Sequence, residues 1–303
     1  MEESNQIYHT DKDAPIVVFG ESEGTVDIPD NHQMDIIELK LDIFGKLLHI
    51  RIGAGNEPAK LSDLVPLAWL VSTKIILATK QHIINNGDTI ACRANCSQCC
   101  RYLVPLTIPE AVRLTEEVTT MPQWKRRFVN ERSLLTARGI LELTPKYTLE
   151  KFTNTRPESG CNLEDVSDWY SSINLPCPFL LNDLCMIYEQ RPIACREHLV
   201  IGSASNCKSN STNQTQLVQM PISILNALAH LTSELEETTI EAIILPFVFA
   251  WCQENPKYFK HTWPASQLVR CFINILTTEN RHKNKPKPQK TDNSCSDQKL
   301  LTK

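Results

Sequence analysis

Four cysteines fall within nine residues, Cys92, Cys96, Cys99 and Cys100, in the run Ala-Cys-Arg-Ala-Asn-Cys-Ser-Gln-Cys-Cys. A second set, Cys177, Cys185, Cys195 and Cys207, follows in a segment that opens Pro-Cys-Pro-Phe-Leu and runs through Tyr-Glu-Gln-Arg-Pro-Ile-Ala-Cys-Arg. Thiolates so dense, in a chain whose amino terminus has neither a basic start nor an apolar stretch, point to metal binding more than to disulfides. An all-thiolate set suits zinc, iron–sulfur or copper and argues against calcium and magnesium. Cys92, Cys96 and Cys99 have the spacing of a tight chelating loop, which the downstream cysteines would close. Adjacent side chains diverge, so Cys100 is expected to bridge or to serve a second ion. Eight cysteines allow two four-ligand sites or one larger cluster.

The other cysteines read differently. Cys252, beside Trp251, and Cys271 are expected to be small buried hydrophobes. Cys295 is read as an unliganded thiol, and Cys161 lies in a loop-like stretch outside both groups. His198 follows Cys195 at ligand-like spacing but is read as an ordinary surface or hydrogen-bonded histidine. Arg101, Arg191 and Arg196 stand beside ligands, where positive charge could lower thiol pKa; surface solvation or helix-end pairing explains them as well. The Cys92-x3-Cys96-x2-Cys99 spacing also occurs in radical S-adenosylmethionine enzymes. There a strand–helix barrel must follow; here helix follows helix and only 9 of 303 residues are glycine.

Several elements must position these thiols. Ile37, Leu39, Leu41 and Ile43 alternate with polar residues, Phe44-Gly45-Lys46 turns the chain, and Leu48, Ile50 and Ile52 alternate again, so a hairpin is expected. Helical spacing runs from Pro66 to about Asn85, with Leu67, Val71, Ile75 and Ala78 on one face and Asn86-Gly87 as the stop. Thr107, Pro109 and Glu110 mark a helix start with a capping box; Met121-Pro122 ends that helix. Further helices are expected from Gln123 to about Thr136, Leu163 to Tyr170, Pro221 to Glu236 and Ile240 to Gln253, with a surface loop from Cys207 to Gln216. The first cysteine cluster therefore sits in a loop between helices. The fold class expected is mainly α with a small N-terminal antiparallel β-hairpin (α+β).

Composition frames the rest. Residues 1–35 carry nine acidic side chains against one lysine, and residues 281–303 carry seven Lys or Arg against two Asp. This suggests an acidic flexible leader over 1–33, a single metal-binding domain over 34–278 and a basic disordered tail over 279–303. A net charge of -4 gives no reason to expect nucleic acid. The stretch Ala242–Cys252 is too short for a membrane helix. A cytoplasmic location is expected, with a metal ion as the partner and the protein partner unassigned.

The chain resembles the YkgJ-type cysteine-cluster proteins, the CxxCxxCC family described as zinc- or iron-chelating. The likeness runs through Cys92-x3-Cys96-x2-Cys99-Cys100-Arg101, Leu103-Val104-Pro105-Leu106, Cys177-Pro178-Phe179-Leu180, Cys185, Ile187-Tyr188, Arg191-Pro192 and Cys195-Arg196. It implies a metal-chelating domain with Cys92, Cys96, Cys99, Cys100, Cys177, Cys185 and Cys195 as ligands; Cys207 fits the later cysteine of a subgroup. Ala94-Asn95 and Ser97-Gln98 depart from the glycine-rich first loop of the family, and His198 stands where tyrosine is more usual. The implied cofactor is zinc or iron, the latter including an iron–sulfur cluster. The alternative is an iron–sulfur oxidoreductase or a methyltransferase-like enzyme related to flagellin lysine N-methylases. No glycine-rich cofactor loop is visible, since Gly53-Ala54-Gly55 leads into Asn56-Glu57-Pro58 and reads as a turn.

Overall fold

The computed structural model describes residues 14–19, 34–143, 163–207 and 215–283. Most of the expected leader, the Cys207–Gln216 loop and the tail, together with Cys161 and Cys295, lie outside them.

Alternation builds the sheet. Strands β2 (Asp35–Ile43) and β3 (Lys46–Ala54) pair antiparallel, with Leu39 opposite Ile50 and Leu41 opposite Leu48, all buried on one face. The two turn residues, Phe44 (φ 54°) and Gly45 (φ 79°), are both left-handed, as a tight two-residue hairpin requires. The Phe44 ring stacks on His82 at 4.1 Å, which offsets part of the cost of that backbone. A third strand, β1 (Ile16–Phe19), pairs with the free edge of β3 and gives the order β1-β3-β2. It falls inside the span read as leader and extends the expected hairpin into a sheet. A Cβ on Gly53 would lie 2.6 Å from the Phe19 ring, so the ring packs over β3 in the space that glycine leaves.

Eight α-helices follow among the described residues: α1 (Val65–Asn85), α2 (Ile108–Thr120), α3 (Gln123–Leu143), α4 (Leu163–Ile173), α5 (Ile193–Glu197), α6 (Ile224–Leu235), α7 (Val248–Glu254) and α8 (Ala265–Lys283). The fold is mainly α with small antiparallel sheets, as expected. In α1, Leu67, Val71 and Ile75 are buried and Gly87 (φ 89°) follows the last turn. The stretch Leu61–Asn85 is long and apolar enough to cross a membrane, and 56% of its apolar window is buried within the fold. α3 runs a further two turns past its expected end.

The helix expected over Ile240–Gln253 is shorter. Ile243–Ile244 pair with Pro105–Leu106 and Leu245–Phe247 form a 3-10 turn with Pro246 in its first positions, so α7 starts only at Val248. Helix α8 was not anticipated, although Leu268, Val269, Phe272 and Leu276 bury one helical face.

Two apolar cores result. The first joins the sheet to α1, α6 and α8 and includes Ile193 of α5. The second joins α2 and α7 to Val129 of α3 and to Phe179 and Ile187, and Cys177, Cys185 and Cys195 pack against it.

Candidate metal centre

The first cysteine loop is fixed at both ends. Upstream, Ala91 N donates to Val200 O (2.8 Å) and Gly202 N donates to Thr89 O (2.8 Å), joining the loop to the chain that leaves α5. Within it, successive turns are closed by Cys96 N to Arg93 O (3.3 Å), Cys100 N to Ser97 O (3.0 Å) and Tyr102 N to Cys99 O (3.0 Å). Asn95 takes a left-handed backbone (φ 64°), the conformation glycine adopts most freely and asparagine tolerates. The departure from a glycine-rich loop is thereby accommodated.

The second segment is tied directly to the first, because Cys177 N donates to Cys100 O (2.7 Å). Asn182 and Asp183 are both left-handed and turn a short hairpin that sets Cys185 opposite Leu180, while Phe179, 1% exposed, anchors it in the second core. Cys195 rides on α5, whose start is held by the buried Glu110 carboxylate accepting from Ile193 N (2.7 Å). The same carboxylate accepts from Thr107 N and Thr107 Oγ1, so the capping box read in sequence also braces the second cysteine segment. At the other end of α5, Glu197 accepts from Ser223 Oγ (2.9 Å) and Ile224 N (2.6 Å), capping α6.

Cys92, Cys96, Cys99, Cys100, Cys177, Cys185 and Cys195 line one cavity of about 120 Å³, and all are free thiols. Cys207 does not line it. That residue is buried nearby, its carbonyl accepting from Tyr102 Oη at 2.6 Å, and it feels the charges of Cys92, Cys99 and Cys96. Among the described residues, no three His, Cys, Asp or Glu side chains already converge on one point as a bound ion requires. The thiols line the cavity without meeting at a common point. Cys252, by contrast, is buried against α2, donating to Ala111 O at 3.5 Å, and Cys271 is half-buried against the first core.

A hydrogen bond with Cys100, followed by burial, pushes the Cys99 thiol far above its ordinary value. Burial pushes Cys177 up to about 12, and raises Cys92, Cys185 and Cys195 as well. Arg191 pulls the other way on Cys99, Cys185 and Cys195, but burial outweighs it. Arg196 is committed elsewhere: its guanidinium donates to Arg191 O (3.0 Å), to Glu189 O and to Thr73 Oγ1 (3.1 Å) and lies over the Trp69 ring. Arg101 does not line the cavity. Several thiolates in one small space require a cation of their own, and a metal ion supplies it while displacing the protons.

One group was underrated in the sequence. His198 lines the same cavity, and its Nε2 is shielded from solvent without a hydrogen-bond partner. Burial lowers its pKa, which favours the neutral imidazole that metals bind. The Cys195-x2-His198 spacing was the available signal; burial of the ring was not visible in it.

Residues 91–218 match the family model CxxCxxCC, described as "Putative zinc- or iron-chelating domain". Over these residues the chain is similar to the CxxCxxCC family. The match spans all eight candidate cysteines and His198. No curated protein and no solved structure matches the chain. The residues fit a thiophilic ion on their own chemistry: soft sulfur donors from two segments, an orphaned imidazole nitrogen, and no carboxylate lining the cavity.

A second cavity, of about 770 Å³, shares Tyr188, Arg191 and Arg196 with the first.

Proposed function

We propose that this protein chelates zinc or iron through the thiolates of Cys92, Cys96, Cys99, Cys100, Cys177, Cys185, Cys195 and Cys207 in one metal-binding domain, working in the reducing cytoplasm. The observation that carries the reading is the convergence of seven of these thiols, from two distant segments, on one small cavity. The Cys177 N to Cys100 O bond holds the two segments in register. At that junction Cys99 and Cys100 would bridge ions or divide between them.

The test is metal and acid-labile sulfide analysis of protein purified without oxygen, with its visible spectrum, beside the double variant Cys99→Ser, Cys100→Ser. Colourless protein holding zinc that the variant loses supports a thiolate zinc centre. Iron with sulfide and a coloured chromophore, again lost in the variant, supports an iron–sulfur centre. Absence of both metals in the wild type refutes the reading.

The larger cavity favours a second reading, in which the centre serves electron or group transfer to a molecule bound across the Tyr188–Arg191 wall. A chromophore that bleaches on reduction distinguishes it from a storage or structural site.

A further inference from the structure

We propose that His198 is a metal ligand, its Nε2 completing a three-thiolate, one-imidazole site with Cys92, Cys96 and Cys207, distinct from an all-thiolate site built on Cys177, Cys185, Cys195 and the Cys99–Cys100 pair. The inference rests on the thiolate-centre reading above and divides that centre in two.

Position argues for the division. Cys185 sits on a short hairpin and Cys195 on α5, and both pack with Cys177 against the second core. His198 and Cys207 instead lie against Tyr102, Cys92 meets His198, and Cys96 is close enough to both Cys92 and Cys207 for their charges to interact. The Tyr102 ring meets the His198 ring edge-on at 5.4 Å, its hydroxyl donates to Cys207 O at 2.6 Å, and Cys92 Sγ donates to His198 O at 3.6 Å. The backbone bonds joining Ala91 to Val200 and Gly202 to Thr89 hold this group together.

Chemistry argues for the nitrogen. Buried polar atoms are almost always partnered, and an imidazole whose Nε2 is hidden from water among thiols and donates to or accepts from nothing needs an occupant. Three thiolates and one imidazole form a complete tetrahedral set for a divalent ion. The side chains must swing inward to close it, since no three donors converge as they stand. Side-chain rotation is a small change for a backbone tied through Ala91 to Val200 and through Thr89 to Gly202.

The full chain loaded with cadmium-113 alone and observed by NMR decides the matter. Two cadmium resonances are expected, one of all-sulfur type and one shifted by a nitrogen ligand, the latter coupled to the imidazole of nitrogen-15-labelled His198. His198→Phe and Cys207→Ser should each move only the nitrogen-type signal, and Cys185→Ser only the all-sulfur one. The cadmium–nitrogen coupling is read in the wild type, so the assignment does not depend on any variant folding. One resonance, absence of that coupling, or two signals both untouched by His198→Phe overturns the proposal. A wild type that takes up no cadmium refutes the thiolate-centre reading itself, a result distinct from losing the histidine alone.

Discussion

Glu110 joins the start of α2 to the start of α5, and its removal should do more damage than any single capping residue normally does. The side chain is 3% exposed. Its Oε2 accepts from Thr107 N at 3.1 Å and Thr107 Oγ1 at 2.9 Å, and its Oε1 accepts from Ile193 N at 2.7 Å. In Glu110→Ala the threonine hydroxyl can rotate away, but the two backbone N–H groups cannot, and both stay buried. At about 1–3 kcal/mol for each unmet donor, the cost is about 2–6 kcal/mol, a large part of the roughly 5–15 kcal/mol that holds a typical domain together. In Glu110→Gln one carbonyl oxygen can still serve one of the two sites, so about half that loss is expected. Urea unfolding of the three proteins at neutral pH, monitored by tryptophan fluorescence, measures both values. An alanine variant within about 1 kcal/mol of wild type would show that water or rearrangement satisfies these donors. Glutamine no better than alanine would show that carbonyl geometry is not what matters.

Metal affinity should depend on pH with a definite sign. With Cys177 raised to about 12 and its neighbours raised as well, each ligating thiol gives up a proton when the ion enters, so affinity rises with pH. Where two or more protons leave, the rise is roughly a hundredfold or more per pH unit, readable by chelator competition between about pH 6 and 8; a flat profile would mean the ligands are not these thiols. Gly53→Ala should push the Phe19 ring off β3, at about 1–3 kcal/mol, and raise hydrogen exchange at Ile16–Phe19 while the β2–β3 ladder stays protected. Unchanged protection of β1 would contradict the close approach.

The features legible in the sequence were those encoded locally. The hairpin follows from strict alternation between Ile37 and Ile52, and the start of α2 follows from Thr107, Pro109 and Glu110 in four consecutive positions. The features missed depend on distant partners. Nothing near Ile243 announces that it will pair with Leu106, and the apolar tetrad Ile16–Phe19 becomes a strand on the edge that β3 offers it. Helix α8 was readable from the spacing of Leu268, Phe272 and Leu276. The cysteines announced themselves by density, whereas His198 did not, because a lone histidine acquires meaning only from a buried nitrogen beside thiols. The arginines gave the right sign and the wrong outcome: Arg191 does favour thiolates, but desolvation is the stronger effect.

Three consecutive residues straddle the seam of the molecule, Ile193 belonging to the first apolar core and Ala194 and Cys195 packing against the second. An ion gripping Cys195 together with Cys99 and Cys177 would therefore rivet the two halves into one cooperative folding unit. That ion would add a grip to the ties that already cross the seam, Glu110 to Ile193 N and Lys60 to Glu116, and its occupancy would be felt in the cooperativity of unfolding.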